Sequence, residues 1–285
     1  MGLQRVIPLL EQAEREQYAV GGFVFANAET AQAIVETGSA LRSPILLMIG
    51  PWEIPVLRPR MIVAMAKALA SQADVPVCLH LDHAGDIELV EECLAAGFPS
   101  VMMDASRHDF EENVRRTKRV VQMAHAKGVS VEGELGAVGR VDDSSLEGAP
   151  EASLTDPVQA AEFVERTSVD ALAVAIGNAH GIYERRPELD FERLRAIRQA
   201  VGVPLVLHGG SGTPPDQLRE AIDIGISKVN VASELSRAFL SAIEDSPARR
   251  GGKAWFGFAL QDAKGAVAQV VERWMRVLGS AGRVA

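Results

Sequence analysis

The run Val77-Cys78-Leu79-His80-Leu81-Asp82-His83-Ala84 begins as strand formers and ends in a carboxylate beside an imidazole. Bounded by Pro76 and Gly85, such a short apolar run reads as a buried parallel strand. Neither Asp nor His suits a buried strand end unless it is paired or bound to a metal. Other apolar runs also close on polar groups. Asp104 follows Ser100-Val101-Met102-Met103, Glu134 lies in 129–136, and His180 follows 171–177. His208 lies on 204–210, and Asn230 and Ser233 on 228–233. One histidine at such a place is more often a core or surface residue. Three on separate strand ends are a different matter, because three neutral imidazoles with an open fourth position suit catalytic zinc or another divalent ion. Glu134 is then a further ligand or orients one, the alternative being a salt bridge within the rim. Asp82, next to His83, is the candidate proton carrier.

His80 shares the strand face of Asp82 but lies two residues deeper, and it reads as a hydrogen-bonded core histidine. His108 and His125 lie in or near a helix and read as solvated. Cys78 and Cys93 are too few for a disulfide framework, which fits a reducing compartment, and Cys78 reads as a small buried hydrophobe. A second kind of chemistry is written in His208-Gly209-Gly210-Ser211-Gly212. Backbone amides freed by glycines before a helix make an anion nest. The helix here begins near Pro214-Pro215-Asp216. The same residues could form only a turn, but their place at a strand end favours the nest.

These residues need a frame that brings separate strand ends together. Strand-like runs recur at 18–25, 44–49, 76–82, 100–105, 129–136, 171–177, 204–210 and 228–233. Helical periodicity fills the intervals, as at 58–72, 87–96 and 109–127, the last closed by Gly128. Thr155-Asp156-Pro157 opens another helix with an N-cap and an early Pro. Eight strands alternating with helices specify an α/β fold, a (β/α)8 TIM barrel, whose sites lie at the C-terminal strand ends. An open doubly wound sheet is disfavoured because no Gly-x-Gly-x-x-Gly follows the first strand. No linker or low-complexity stretch interrupts the chain, so residues 1–285 read as a single domain with extra C-terminal helices beyond 234.

Composition narrows the partners. With 285 residues, 47% hydrophobic and 24% charged, the chain is ordinary for a soluble globular protein. A net charge of −9 argues against nucleic acid or an anionic membrane as the main partner. No apolar stretch has transmembrane length, and residues 1–16 read as an amphipathic helix rather than a signal peptide, so a cytoplasmic location is expected.

Six segments in order resemble one family: Leu79-His80-Leu81-Asp82-His83, Ser100 through Ser106, Val131-Glu132-Gly133-Glu134-Leu135-Gly136, Ala173 through Gly181, Leu207 through Gly212, and Lys228-Val229-Asn230-Val231-Ala232. Together they look like a class II, zinc-dependent ketose-bisphosphate aldolase of the tagatose- and fructose-bisphosphate branch, over nearly the whole chain. The resemblance implies that His83, His180 and His208 bind one catalytic Zn2+ and that Asp82 is the acid/base on the C4 hydroxyl. It puts Asp104 and Glu134 at alternative or outer metal contacts. Gly181, Gly209, Gly210, Ser211, Asn230 and Ser233 fall in the phosphate-binding segments for dihydroxyacetone phosphate, with a monovalent cation, Na+ or K+, nearby. The second acid is expected on the loop 137–154, where Asp142 aligns best and Asp143 and Glu147 read equally well as solvated carboxylates. The implied partner is a small sugar phosphate, and the implied assembly a homodimer or homotetramer.

Three departures concern the substrate. The chain has Phe23-Val24 where the family has Phe-Asn, Met48 and Gly50 where fructose-specific members carry a polar pair, and Trp255-Phe256-Gly257-Phe258 where an Arg often reaches a distal phosphate, although Arg249 and Arg250 lie close. These point to a retained dihydroxyacetone-phosphate half and an altered aldehyde half. Competing readings are a metal-dependent sugar-phosphate epimerase or isomerase, a non-catalytic sugar-phosphate-binding barrel, and a Schiff-base aldolase. The last needs a lysine projecting from a strand end, whereas Lys228 falls at the start of its strand.

Overall fold

A computed structural model describes residues 2–140, 153–183, 186–247 and 255–284. Eight strands form a closed parallel barrel: β1 (Val20–Val24), β2 (Ile45–Ile49), β3 (Val77–Ala84), β4 (Ser100–Met103), β5 (Ser130–Leu135), β6 (Ala171–Val174), β7 (Leu205–Leu207) and β8 (Ile226–Val231). Each pairs with its neighbours in sequence, and β8 closes on β1 with Val20 opposite Lys228 and Phe23 opposite Val231. Helices follow the strands as the periodicity predicts, so the fold is the (β/α)8 barrel with additional C-terminal helices.

Strand alternation divides the core in two. Outward residues such as Leu47, Leu79, Leu81, Val101, Leu172, Leu205 and Val229 pack with the surrounding helices in one large apolar cluster. Inward residues Val20, Leu46, Met48, Cys78, Ala171, Ala173 and Val206 form a second cluster inside the barrel. Polar side chains on the same inward faces therefore stand above and among this packed interior.

Helix ends follow local chemistry. Asn27 and Thr30 make a capping box for the helix Ala28–Ala40. Asp156 accepts from the amides of Val158 and Gln159 at the start of Pro157–Thr167. The helix Phe256–Val277 buries Ala263, Val267, Val271, Trp274 and Met275 and packs against Ala28–Ala40 and Ser233–Asp245. Its start is different: Trp255, Phe256 and Phe258 are exposed, as is Leu240. Among the described residues no helix is long and apolar enough to cross a membrane.

Two features depart from the sequence expectation. β3 runs on to Ala84 and so includes His83, instead of ending at Asp82. In addition, Ala179–His180 pairs in parallel with Gly139–Arg140, a two-residue ladder outside the barrel that periodicity over so few residues could not reveal.

Candidate active site

β3 supplies three polar residues to the barrel interior. His80 and Asp82 follow the ordinary alternation, and His83 should then face outward. The pairing with β4 shifts between Leu81 and Ala84, and His83 takes a positive φ of 47°. This irregularity turns its ring toward the mouth beside Asp82. Its Nδ1 lies 2.8 Å from Asp104 Oδ2. Asp104 is itself held by Ser106, whose Oγ donates to Oδ1 at 2.8 Å.

The other face of the His83 ring meets both remaining histidines. His83 Nε2 lies 3.1 Å from His180 Nε2 and 2.8 Å from His208 Nδ1. A single imidazole nitrogen carries one proton or one lone pair, so it cannot satisfy two facing ring nitrogens at once. A cation shared by the three satisfies all of them. Glu134 points the same way: its Oε2 is buried without a hydrogen-bond partner, 3.5 Å from His208 Nδ1 and 4.0 Å from His83 Nδ1. The donor set therefore fits a divalent metal held by His83, His180 and His208, with Glu134 and Asp104 beside it.

Charge acts on the same groups. Burial alone would lower the His83 pKa, but the facing charges of Asp82, Asp104 and Glu134 outweigh it and push the ring up to about 10. Burial, reinforced by the charge of Asp104, pushes Glu134 up to about 8. Buried carboxylates thus crowd the His83 ring, Asp104 at 2.8 Å and Glu134 at 4.0 Å. Burial would also raise Asp82. The charges of its cationic neighbours, His83 first, nevertheless keep its carboxyl below the usual value, so Asp82 is held as a carboxylate.

Asp82 Oδ1 accepts from Asn230 Nδ2 at 3.0 Å. Asn230, expected at the phosphate, thus also holds the candidate proton carrier. The glycine segment after β7 is drawn close to the His180 loop. A Cβ on Gly209, whose φ is +64°, would lie 2.0 Å from Ala179 O, so only glycine fits. Gly210 N donates to Asn230 O at 2.9 Å, which locks the segment to β8. Gly212 N donates to Glu234 Oε1 at 2.8 Å, and Ser211 Oγ accepts from Glu234 N at 3.3 Å. Gly181 follows His180 with φ +105°. Ser233 opens the helix Ser233–Asp245 beside this segment. Asp142, Asp143, Glu147, Arg249 and Arg250 lie outside the described residues.

Below the histidines lies a network that the sequence reading overlooks. Glu132 Oε1 lies 2.8 Å from His208 Nε2, and its Oε2 accepts from Lys228 Nζ at 2.6 Å. Two residues before Glu134 and before Asn230 respectively, Glu132 and Lys228 share their inward faces, and that period of two was the available signal. His80 is buried as expected, with Nδ1 2.7 Å from Ser100 Oγ. Burial and the Lys228 charge lower its pKa to about 3, so the ring is neutral.

Comparison with known proteins accords with this geometry. Residues 4–283 match the family described as fructose-bisphosphate aldolase class-II. The chain belongs to that family. It is therefore an aldolase, a lyase. Among solved structures it resembles the YdjI aldolase of Escherichia coli K12, with 34% identity, 99% of this chain and 100% of the other covered, and a TM-score of 0.86. A candidate fructose-1,6-biphosphate aldolase of Coccidioides immitis is 32% identical, with 98% of each chain covered and a TM-score of 0.89. The fructose-bisphosphate aldolase of Campylobacter jejuni shares the fold at 22% identity and a TM-score of 0.81, with 98% of this chain and 96% of the other covered.

Proposed function

We propose that this aldolase is zinc-dependent and cleaves, or forms, the C3–C4 bond of a ketose phosphate to give dihydroxyacetone phosphate and an aldehyde. The observation that carries the reading is the convergence of three imidazole nitrogens beside the buried Asp82 carboxyl, held by Asn230. His83, His180 and His208 would hold Zn2+, with Glu134 and Asp104 as additional or outer contacts. When bound, zinc would supply Lewis acidity toward the carbonyl and neighbouring hydroxyl oxygens of the ketose.

The protein's own groups account for the proton movements. Asp82 takes the proton from the C4 hydroxyl as the C3–C4 bond breaks and the aldehyde carbonyl forms. Asn230 keeps the Asp82 carboxylate aimed by donating to Oδ1. The electron pair left toward C3 is protonated by an acid on the loop after β5, for which Asp142 is the assignment. Gly181, Gly209, Gly210, Ser211, Asn230 and Ser233 line the phosphate end, where Na+ or K+ would also lie. Lys228 is buried and bonded to Glu132. That placement disfavours an imine mechanism, which needs a lysine open to substrate.

The aldehyde end differs. Val24 and Met48 present apolar groups from β1 and β2, and Gly50 follows on the rim. A site made to pair a distal phosphate loses discrimination without its polar partners. The favoured aldehyde is therefore unphosphorylated or less polar than glyceraldehyde phosphate. Assembly as a homodimer or homotetramer is part of the same reading, supported by exposed Leu240, Trp255, Phe256 and Phe258.

The test is a screen of dihydroxyacetone phosphate against a panel of aldehydes, with chelator-treated protein and with Zn2+ restored. Zinc-dependent condensation with an unphosphorylated aldehyde is expected, with weak cleavage of fructose and tagatose bisphosphates. Full activity after complete metal removal would overturn the metal assignment. Robust turnover of either bisphosphate would overturn the altered aldehyde half.

A further inference from the structure

We propose that Glu132 and Lys228 are positioning residues of the metal centre. Glu132 holds His208 in the tautomer that carries its proton on Nε2 and turns the Nδ1 lone pair toward His83 and His180, and Lys228 holds Glu132 in place. The inference rests on the metal reading above but concerns residues that touch neither metal nor substrate.

The geometry is specific. β5 and β8 are not neighbours: β5 pairs with β4 and β6, and β8 with β7 and β1. The Glu132 and Lys228 side chains therefore meet across the barrel interior, at 2.6 Å. Both are at most 3% exposed. Glu132 divides its oxygens between two partners, Oε1 to His208 Nε2 and Oε2 to Lys228 Nζ. An ionised carboxylate only accepts, so the Nε2 proton must stay on the ring and Nδ1 must be unprotonated in a neutral imidazole. His208 Nδ1 is the atom 2.8 Å from His83 Nε2, inside the histidine cluster. Asp104 sets His83 in the same manner from the other side, at Nδ1. Two of the three candidate ligands thus have a carboxylate behind them, the arrangement that fixes the orientation of metal-binding imidazoles.

Lys228 has a second consequence. His80, Asp82 and Glu132 offer ligand atoms close enough together for a cation of their own. The Lys228 ammonium group already sits on Glu132 there. Its positive charge there opposes a second cation on that group. A plain ion pair in the core would not need this division of oxygens, and apolar residues of similar volume often serve stability as well as such a pair.

The test uses the full-length protein and Zn2+ alone. Histidine-labelled wild type is measured by 15N NMR, where a protonated Nε2 and an unprotonated Nδ1 are expected for His208. A proton on Nδ1 would overturn the proposal without any variant. Zn2+ affinity is then measured by competition with a chromophoric chelator for wild type, Glu132→Gln, Lys228→Met and the double variant. Glu132→Gln and Lys228→Met are each expected to weaken Zn2+ binding about 10- to 100-fold and to alter the visible spectrum of the Co2+-substituted protein. The double variant removes both charges and guards against failure to fold. It should melt closer to wild type than either single variant while still binding Zn2+ more weakly. Variants that bind Zn2+ as wild type does, with only a lowered melting temperature, would show a purely structural pair. Wild type that binds neither Zn2+ nor Co2+ would instead defeat the metal reading itself.

Discussion

The two sides of the barrel mouth are built from different materials. From β3 round to β8 the inward faces carry Asp82, His83, Glu132, Glu134, His208, Lys228 and Asn230, joined by hydrogen bonds across the barrel. β1 and β2 contribute Val20, Gly22, Val24, Leu46 and Met48, with a Met48 sulfur close against Gly22. The polar side requires opposing charges because its groups are buried, and each carboxylate there has a cationic or imidazole neighbour. The apolar side imposes no such demand. On the function proposed above, the chemical step belongs to the polar side and the variable half of the substrate to the apolar one. The comparison breaks if substitutions on the apolar side damage the chemical step as much as those on the polar side.

The largest effect is expected from His83→Ala. It removes the imidazole that meets both other rings. Bound zinc should be lost and kcat/KM should fall by about 1,000-fold or more, as the several kcal/mol supplied by a metal disappear. Metal content by elemental analysis, alongside turnover and circular dichroism, checks this. Retained zinc with full activity would show that the cluster is not the metal centre. Asp82→Asn should follow closely, with kcat reduced about 100- to 10,000-fold, the usual worth of a general base. Here zinc content should stay near wild type, which separates the proton carrier from the ligands. Loss of zinc in this variant would merge the two roles.

Substitution across the mouth should behave otherwise. Val24→Asn places an amide on the apolar side, where the family resemblance expects one. The kcat/KM ratio between a phosphorylated and an unphosphorylated aldehyde should move by up to about 100-fold, the range available to a pocket contact. KM for dihydroxyacetone phosphate should hold within a few-fold. Steady-state condensation kinetics with both aldehydes would decide it. An unchanged ratio would show that Val24 does not face the aldehyde.

Much of the polar side was legible in the sequence, because strand alternation projects polar residues at a period of two and the barrel gathers strand ends on one face. Asp82, Glu134 and His208 could be located that way. What escaped depended on contacts between distant strands. Nothing local ties Glu132 on β5 to Lys228 on β8, and a lysine early in a strand reads as misplaced until its partner is seen. The turn of His83 was another limit. Alternation alone puts it on the wrong face, and the irregularity in β3 that corrects this arises from pairing with β4. The fold itself, with eight repeats of the same alternation, was more redundant and so more readable than any single contact.

The smallest effect concerns the interior under the site. Cys78 lies four residues before Asp82 on the same inward face, packed with Val20, Leu46 and Val206. Burial pushes its thiol up to about 12, and Cys93, buried between β3 and its helix neighbours, is pushed up to about 12 by burial and then by the charge of Glu92. A thiol raised this far is protonated at pH 8, so it lacks the thiolate that reacts with a disulfide reagent. Native protein at pH 8 should release almost no thionitrobenzoate from Ellman's reagent over minutes, and both cysteines should titrate once guanidinium unfolds the chain. Slow native reaction would then report opening of the barrel. Rapid reaction of one equivalent would mean that the charged upper site continues downward as a wet channel, and the boundary between the polar mouth and the packed interior would have to be redrawn.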